Sequence, residues 1–390
     1  MRIYNRNKPK KERAKERGDT HIPADRFVVR WKDRNGKWHE RSAGKLIKDA
    51  EALRDEIKEA LTMGRSLPWE APPFDKVCHD FLIYKREEIK PNTYDDYAQI
   101  IENYLIPYFG KIRISYITPQ DVEEFKIYLS ERESLKASKP GEKHFLSAST
   151  RAKIIRVLRA ILRHPSIRQF IHMDPTLGVR APRQERREHD YLNISEVNRL
   201  LEACSSPSEK ALFGTACFAG LRQGEIIALT WGDIDIVSGT IYVRKTYDPK
   251  HREGTPKTEK GKRIVPIPPV LVELLKEHKA KSKETKPDDL VFTSKNGKHL
   301  NSNNLTQRTL ANALQRAGIR KVDFQSLRHT FASLSIEAGT DPKTLQSLMG
   351  HCSINVTFDT YGHLFQSAVE RHIFGLEALI SSTQVYKKTP

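Results

Sequence analysis

Long apolar runs are missing from this chain of 390 residues. None approaches the roughly 18 apolar residues that a membrane-spanning helix needs. The first residues, Met-Arg-Ile-Tyr-Asn-Arg, also lack the apolar stretch of a secretory signal peptide. We therefore expect a cytoplasmic protein that makes no contact with a membrane.

Cysteine is scarce, and its spacing does not suit a metal site. The four cysteines are Cys78, Cys204, Cys217 and Cys352, which are too far apart in sequence to form metal-binding pairs. This pattern predicts reduced thiols in a cytosolic protein. The motifs described below also lack the carboxylate clusters that hold two catalytic metal ions. Neither a metal nor another cofactor is therefore expected.

Positive charge, in contrast, is abundant. The chain has 67 lysines and arginines against 49 aspartates and glutamates, a net charge of +18, and a pI of about 9.6. This excess predicts a polyanionic partner. The alternative is a basic protein that is merely soluble. The length suffices for two or three domains.

The first 66 residues predict two pieces. Residues 1–20 are rich in lysine and arginine and almost without apolar residues, which predicts a disordered basic arm. Residues 21–66 predict a small domain, in which Asn35-Gly36 lies between alternating stretches and indicates a two-residue type I′ hairpin turn. A helix with one apolar face follows. Residues 64–73 are rich in proline and glycine and predict a linker.

Residues 74–178 predict an all-helical domain. Apolar residues recur at helical spacing, and Thr118-Pro119 and Ser149-Thr150 are typical helix starts. The helix after Ser149-Thr150 has a basic outer face formed by Arg151, Lys153, Arg156 and Arg159. This face is a candidate for DNA contact, and a merely solvated face is the alternative. A second linker is expected at residues 181–188.

Residues 189–380 predict a mixed α+β domain. Asn193, with Glu196 three residues later, indicates a capped helix start. Residues 240–244 and 263–267 are predicted strands, and several helical stretches surround them. The whole chain is thus predicted to be multidomain and mainly α-helical, with small β-sheets.

Four short motifs in the last domain carry reactive side chains. Ala-Gly-Leu-Arg222-Gln-Gly-Glu comes first, and Gln325-Ser-Leu-Arg328 follows. Gly-His351 and Thr-Tyr361-Gly-His complete the set. Each residue alone is weak evidence, but their combination and order are specific. They resemble the motifs of the tyrosine recombinase, or phage integrase, family.

The resemblance implies how the phosphate would be held. Arg222 and Arg328 would bind its non-bridging oxygens, a task that suits the two parallel donors of a guanidinium. His351 would hydrogen-bond the same phosphate. Glu225, one helical turn after Arg222, would orient that arginine.

The resemblance also implies the covalent chemistry. Tyr361 would attack the phosphodiester and form a 3′-phosphotyrosyl bond, which keeps the bond energy, so that rejoining needs neither ATP nor a metal. Lys257 would protonate the leaving 5′-oxygen, with Lys260 and Lys262 as competing candidates. The implied activity is site-specific recombination of double-stranded DNA at the nucleoid, which integrates or excises a phage or mobile element. A non-cleaving DNA-binding protein of the same fold and a type IB topoisomerase are the alternatives.

The resemblance extends to the first two domains. The small N-terminal domain is similar to the arm-binding domain of integrases, with Arg30 and Lys37 as candidate DNA contacts. An ordinary α/β subdomain is the alternative there. The helical domain is similar to the family's core-binding domain.

One position departs from the family pattern. The family usually has His-x-Leu-Arg, but this chain has glutamine at position 325. Glutamine can hydrogen-bond a phosphate but cannot carry a proton at neutral pH, so the proton acceptor for Tyr361 is left without an assigned residue. His329 follows Arg328 directly and is expected to point about 100° away from it on the helix.

The last residues predict an assembly contact. Ile373, Leu376, Leu379 and Ile380 follow helical spacing and share one face. The resemblance implies that this tail docks on a neighbouring protomer, in a homotetramer on DNA that forms from free monomers. A tail that folds onto its own domain is the alternative. DNA-bending accessory proteins are further expected partners.

Overall fold

The computed structural model describes residues 1–17, 19–21, 23–33, 35–64, 67–134, 144–171, 173–183, 190–250, 252–254 and 261–365. The chain divides into two compact units, Met1–Glu185 and Arg186–Pro390. Both are mainly helical with small antiparallel sheets, as the sequence predicts. Across the described ranges, no helix has the length and apolar character required to cross a bilayer.

The first unit begins with an antiparallel sheet. Its strands, in the order β1-β2-β3, are β1 (Arg2–Asn5), β2 (Phe27–Lys32) and β3 (Trp38–Gly44). Two helices accompany them, α1 (Lys8–Glu16) and α2 (Ile47–Thr62). The prediction of a disordered arm over residues 1–20 is therefore wrong. β1 forms because all four of its residues pair with β2, because Ile3 packs against the core of this sheet, and because Asn5 donates to Asp25.

The predicted hairpin is confirmed, but its turn differs from the prediction. β2 and β3 pair up to Lys32 and Trp38, and the backbone N–H of Asp33 then donates to the Lys37 carbonyl at 2.9 Å, so the connection is longer than a two-residue type I′ turn. The Asp33 carboxylate accepts hydrogen bonds from the backbone N–H groups of Asn35 and Lys37, each 2.9 Å long. An aspartate that bonds its own loop in this way stabilises the wider turn. Gly36 has a φ of 80°.

The rest of this unit is helical. Its helices are α3 (Phe74–Glu88), α4 (Pro91–Ile100), α5 (Ile106–Phe109), α6 (Pro119–Glu131), α7 (Ala148–Leu162) and α8 (Pro165–Arg168), with a π-helical turn at Ile101–Leu105. Thr118 caps α6 as predicted, whereas α7 begins earlier than predicted, with Ser147 as its cap. The predicted linker at 64–73 is packed in part, because Leu67 and Ala71 are buried.

The second unit combines helices with two small sheets. One sheet has the order β4-β5-β8, and β6 pairs with β7 in the other. The strands are β4 (Ile234–Asp235), β5 (Thr240–Val243), β6 (Thr246–Asp248), β7 (Arg252–Gly254) and β8 (Arg263–Pro266). The predicted strands at 240–244 and 263–267 are thereby confirmed.

The helices of the second unit form most of its core. They are α9 (Ile194–Glu202), α10 (Pro207–Ala219), α11 (Gln223–Ile227), α12 (Pro269–Lys281), α13 (Ser302–Asn304), α14 (Ala311–Arg316), α15 (Phe324–Glu337) and α16 (Pro342–Met349). A last helix, α17, covers residues 354–365. The predicted capping box of Asn193 and Glu196 is confirmed, and Asp341 caps α16. α10 lies against both α12 and α15, which brings the motifs together.

Candidate active site

Two glycines determine where Arg222 lies. Gly220 ends α10 with a φ of 61°, and a Cβ there would lie 2.2 Å from the ring of Phe331 on α15. A Cβ on Gly224 would lie 2.7 Å from the Thr246 hydroxyl of β6. A side chain at either position would force neighbouring elements apart. The glycines of the first motif therefore let α10 and α11 approach α15 and β6 closely, with Arg222 between them.

Three arginines bind the carboxyl end of α16. Arg263 Nε donates to the Leu348 carbonyl at 2.6 Å, Arg328 Nη2 donates to the Met349 carbonyl, and Arg222 Nη2 donates to the Gly350 carbonyl at 3.0 Å. The last carbonyls of a helix have no intrahelical partners and carry partial negative charge, so guanidinium groups suit them. We call Arg222, Arg263 and Arg328 the arginine cluster. Three consecutive carbonyls thus hold it directly before His351.

Glu225 joins two members of the cluster. One carboxylate oxygen accepts from Arg222 Nη1 at 2.8 Å and from Arg263 Nη1 at 3.1 Å. The other accepts from Arg263 Nη2 at 2.9 Å and from the Arg222 backbone N–H at 2.8 Å. Burial disfavours the charged carboxylate, but these bonds outweigh it and hold the pKa of Glu225 below its ordinary value. The structure thus brings Glu225 to Arg222, where the sequence places it.

Arg263 is a site residue that sequence reasoning missed. The sequence predicted only that it begins a strand, yet its side chain is only 5% exposed. The signal was its place as the first residue of a predicted strand that alternates between buried and exposed positions. An arginine at an inward-facing position of such a strand can be buried when a carboxylate lies there to accept its hydrogen bonds.

The two motif arginines differ in exposure. Arg328 is 2% exposed, and it also donates to the Gly220 carbonyl through Nη1. Burial is the main cause that lowers the pKa of Arg328 to about 9, and the nearby charge of Arg222 is the next. Arg328 therefore stays protonated at neutral pH. The Arg222 side chain is 37% exposed. Arg222 is therefore open to an anion from outside, while Arg328 supplies charge from behind.

His351 follows the helix end that the arginines bind. Its Nδ1 lies 2.9 Å from the hydroxyl of Thr357, which is fully buried. Burial, reinforced by the charges of Arg328 and Arg222, lowers the pKa of His351 to about 4. The ring is thus neutral at physiological pH. A Thr357 hydroxyl that donates to Nδ1 places the ring hydrogen on Nε2, which can then donate to an anion.

Tyr361 lies in the core of α15, α16 and α17. It is 3% exposed, and its hydroxyl is 2.6 Å from Nδ1 of His329. Burial raises the pKa of Tyr361, although the charge of Arg328 opposes that rise. The sequence placed His329 away from Arg328 and gave it no role. The structure instead turns it toward the tyrosine hydroxyl, a contact that depends on how α17 packs.

The remaining predicted site residues are placed as follows. Gln325 is exposed on α15. Lys257 and Lys260 lie outside the described residues, as does the tail at 373–380. In the N-terminal hairpin, Arg30 of β2 and Lys37 of the loop are exposed, and the Arg30 guanidinium lies 4.7 Å from the centre of the Trp38 ring.

The basic face of α7 is used in part by its own unit. Lys153 forms an ion pair with Asp96 at 2.8 Å, and Arg159 donates to the Val179 carbonyl at 2.8 Å. Arg156 is exposed and Arg151 is half-buried. Of this predicted set, Arg156 has the side chain most open to a partner.

Comparisons with known proteins bear on this site. The phage integrase family model matches residues 190–367, and the phage integrase N-terminal SAM-like domain matches residues 74–130. The sequence is 27% identical over 364 residues to a tyrosine recombinase XerC-like protein of Caldanaerobacter subterraneus subsp. tengcongensis, covering 85% of this chain and 90% of that protein. It is 29% identical over 331 residues to the prophage integrase IntR of Escherichia coli K12, covering 79% and 80%.

Solved structures show the same fold. A Tn1549 transposon integrase in complex with transposon right end DNA superposes with a TM-score of 0.63 at 20% identity, over 77% of this chain and 99% of that one. A lambda integrase dimer bound to a COC′ core site superposes with a TM-score of 0.54 at 18% identity, over 87% and 92%.

Proposed function

The chain belongs to the phage integrase family of tyrosine recombinases, and on that premise we propose that Tyr361 is the nucleophile with which it cleaves and rejoins DNA. It is a site-specific recombinase of the integrase type. The observation that carries the assignment is the convergence of the arginine cluster and His351 at one helix end, in the unit that also holds Tyr361.

The arginine cluster supplies the charge that a phosphoryl transfer needs. The attacked phosphate gains charge on its non-bridging oxygens, and fixed donors lower that barrier without reorganising. Arg222 reaches those oxygens from the exposed side, and Arg328 adds buried charge behind it. His351 donates a further hydrogen bond from Nε2. Glu225 and Arg263 keep Arg222 in place and are positioning residues.

The covalent steps follow from the site residues. Tyr361 Oη attacks phosphorus, the bond from phosphorus to the 5′-oxygen breaks, and that oxygen takes a proton from a general acid. We assign the acid to Lys257. Gln325, at the exposed turn of α15, donates a hydrogen bond to the phosphate. Rejoining reverses the steps, with the 5′-hydroxyl as nucleophile.

The wider assignments follow from charge and family. The partner is double-stranded DNA, since the chain carries a net charge of +18. Arg30 and Lys37 of the N-terminal hairpin, together with the basic face of α7, contact its backbone. We further propose that the free monomer assembles as a homotetramer on DNA through the tail at 373–380. It acts in the cytoplasm, at the nucleoid, with DNA-bending proteins as accessory partners.

A covalent capture experiment tests this function. The protein is incubated with nicked genomic fragments from the strain that carries its gene, and denaturation with detergent leaves only covalent adducts. Sequencing the captured DNA should return one recurrent site, which we call the core duplex. Wild-type protein should form the adduct on this duplex, and Tyr361→Phe should bind it without forming one. If wild-type protein captures no DNA, the proposal fails.

A further inference from the structure

One turn of α15 carries a glutamine where the family pattern has a histidine, and a histidine on its next turn. Gln325 and His329 stand four residues apart, so they lie on the same helix face, one turn from each other. Gln325 is exposed, whereas His329 is 8% exposed and lies 2.6 Å from the Tyr361 hydroxyl. The first position can hydrogen-bond but cannot accept a proton. The second holds a titratable ring on the reacting oxygen.

We propose that His329 is the catalytic proton acceptor for Tyr361. The inference rests on the proposed function, because it takes Tyr361 as the nucleophile. It goes further by giving the missing acceptor to a residue that the motif does not include. The geometry suits the task, because the contact joins Nδ1 to the reacting oxygen directly, within the 2.6–3.2 Å that a general base needs.

The proton transfer balances with the covalent step. Neutral His329 with its hydrogen on Nε2 presents a lone pair at Nδ1. As Tyr361 Oη bonds to phosphorus, its proton passes to Nδ1 and the ring becomes an imidazolium. The leaving 5′-oxygen receives a different proton, from the general acid. In rejoining, the imidazolium returns its proton to Tyr361 as the phosphotyrosyl bond breaks.

An acceptor is needed here because the tyrosine is buried. Burial raises the pKa of Tyr361, so its hydroxyl stays protonated at neutral pH. A buried hydroxyl cannot pass its proton to bulk water directly. His329 is the described side chain that hydrogen-bonds this oxygen.

The test combines two substitutions on α15. His329→Asn keeps an amide near Nδ1 but cannot take a proton, so single-turnover cleavage of the core duplex should fall roughly 10²–10⁴-fold. Adding Gln325→His to this variant should restore at least about a tenth of the lost rate, because a titratable group returns to the same face. His278→Asn is the matched control, since His278 is also buried in this unit but bonds the Val291 carbonyl. It should cleave at the wild-type rate per folded molecule.

A second measurement separates proton transfer from folding. Difluorotyrosine at position 361 has a more acidic hydroxyl and needs less help from a base. It should speed cleavage more in His329→Asn than in the wild type. Equal acceleration in both proteins, or a wild-type rate in folded His329→Asn, would overturn the proposal. Either result leaves the nucleophile assignment standing, whereas an adduct in Tyr361→Phe would sink the proposed function itself.

Discussion

The two sides of the candidate active site are built differently. The arginine cluster is held by the backbone: carbonyls at 220, 348, 349 and 350 accept its hydrogen bonds, and Glu225 joins two of its members. We call the other side, with Tyr361, His329, His351 and Thr357, the tyrosine side. There, each reactive group depends on a contact between two side chains, His329 with Tyr361 and Thr357 with His351.

Because of this difference, substitutions on the two sides should affect the free energy of unfolding and the cleavage rate differently. When a guanidinium that donates to buried carbonyls is removed, those carbonyls lose their donor. Each buried carbonyl left unpaired costs about 1–3 kcal/mol of stability. Substitutions in the arginine cluster should therefore lower both the free energy of unfolding and the cleavage rate. Substitutions on the tyrosine side should lower the rate and spare the fold. Fixed charge with adjustable acid–base groups is what a preorganised site requires.

Arg328→Met should produce the largest loss of both cleavage rate and stability. The change removes buried charge and leaves the carbonyls of Gly220 and Met349 without this donor. Cleavage of the core duplex should fall roughly 10²–10³-fold, and the melting temperature should fall as well. Arg328→Lys, the control, keeps the charge and should recover part of both. A melting temperature equal to wild type in Arg328→Met would refute the structural half of the argument.

Arg263→Met should show that a residue outside the motifs positions the site. It removes the hydrogen bonds to Glu225 and to the Leu348 carbonyl, so Arg222 is no longer held in place. Single-turnover cleavage should therefore fall roughly 10–10²-fold. DNA affinity should change less than the rate, and Arg263→Lys should restore part of the rate. Arg244→Met is the matched control directly after the neighbouring strand β5, because the Arg244 side chain is 58% exposed. Equal rates in the two methionine variants would contradict the positioning role.

Thr357→Val should lower the cleavage rate without lowering stability, as expected for the tyrosine side. Valine keeps the volume but removes the hydroxyl that fixes the His351 tautomer. The cleavage rate should fall roughly two- to tenfold, the equivalent of one hydrogen bond of about 0.5–1.5 kcal/mol. Thermal unfolding should stay near that of the wild type. A large loss of stability without loss of rate would reverse the assignment of the two sides.

Acid should destabilise the second unit through His351. Its pKa is about 4 in the fold and 6.5 ordinarily, so the unfolded chain binds a proton first as the pH falls. The stability that this histidine contributes is complete above pH 6.5 and should be lost between 6.5 and about 4. His351→Gln should melt with a shallower pH dependence in that window. Nuclear magnetic resonance titration should also place the pKa of His351 near 4, and an ordinary midpoint there would contradict this account.

The residue types and their order were enough to predict the family whose model matches the chain. Arg222, Arg328, His351 and Tyr361 are informative because phosphoryl transfer restricts the choice of side chain. Helix starts such as Thr118 and Asn193 were predictable for a similar reason, since a cap is a local contact.

The features that the sequence did not predict depend on distant partners. β1 is a strand because β2 pairs with it, and its four residues alone give no sign of that partner. Arg263 belongs to the site because Glu225, remote in sequence, accepts its hydrogen bonds. His329 gains its contact only once α17 packs against α15. Such long-range pairs are what local patterns leave open.

The identity of the residue that carries the DNA is the most direct test of the whole account. The adduct formed on the core duplex would be digested with protease and nuclease, and mass spectrometry would locate the nucleotide on the peptides. We predict that it lies on the peptide containing Tyr361, joined through a 3′-phosphate. A nucleotide on any other residue, or one joined through a 5′-phosphate, would contradict the account.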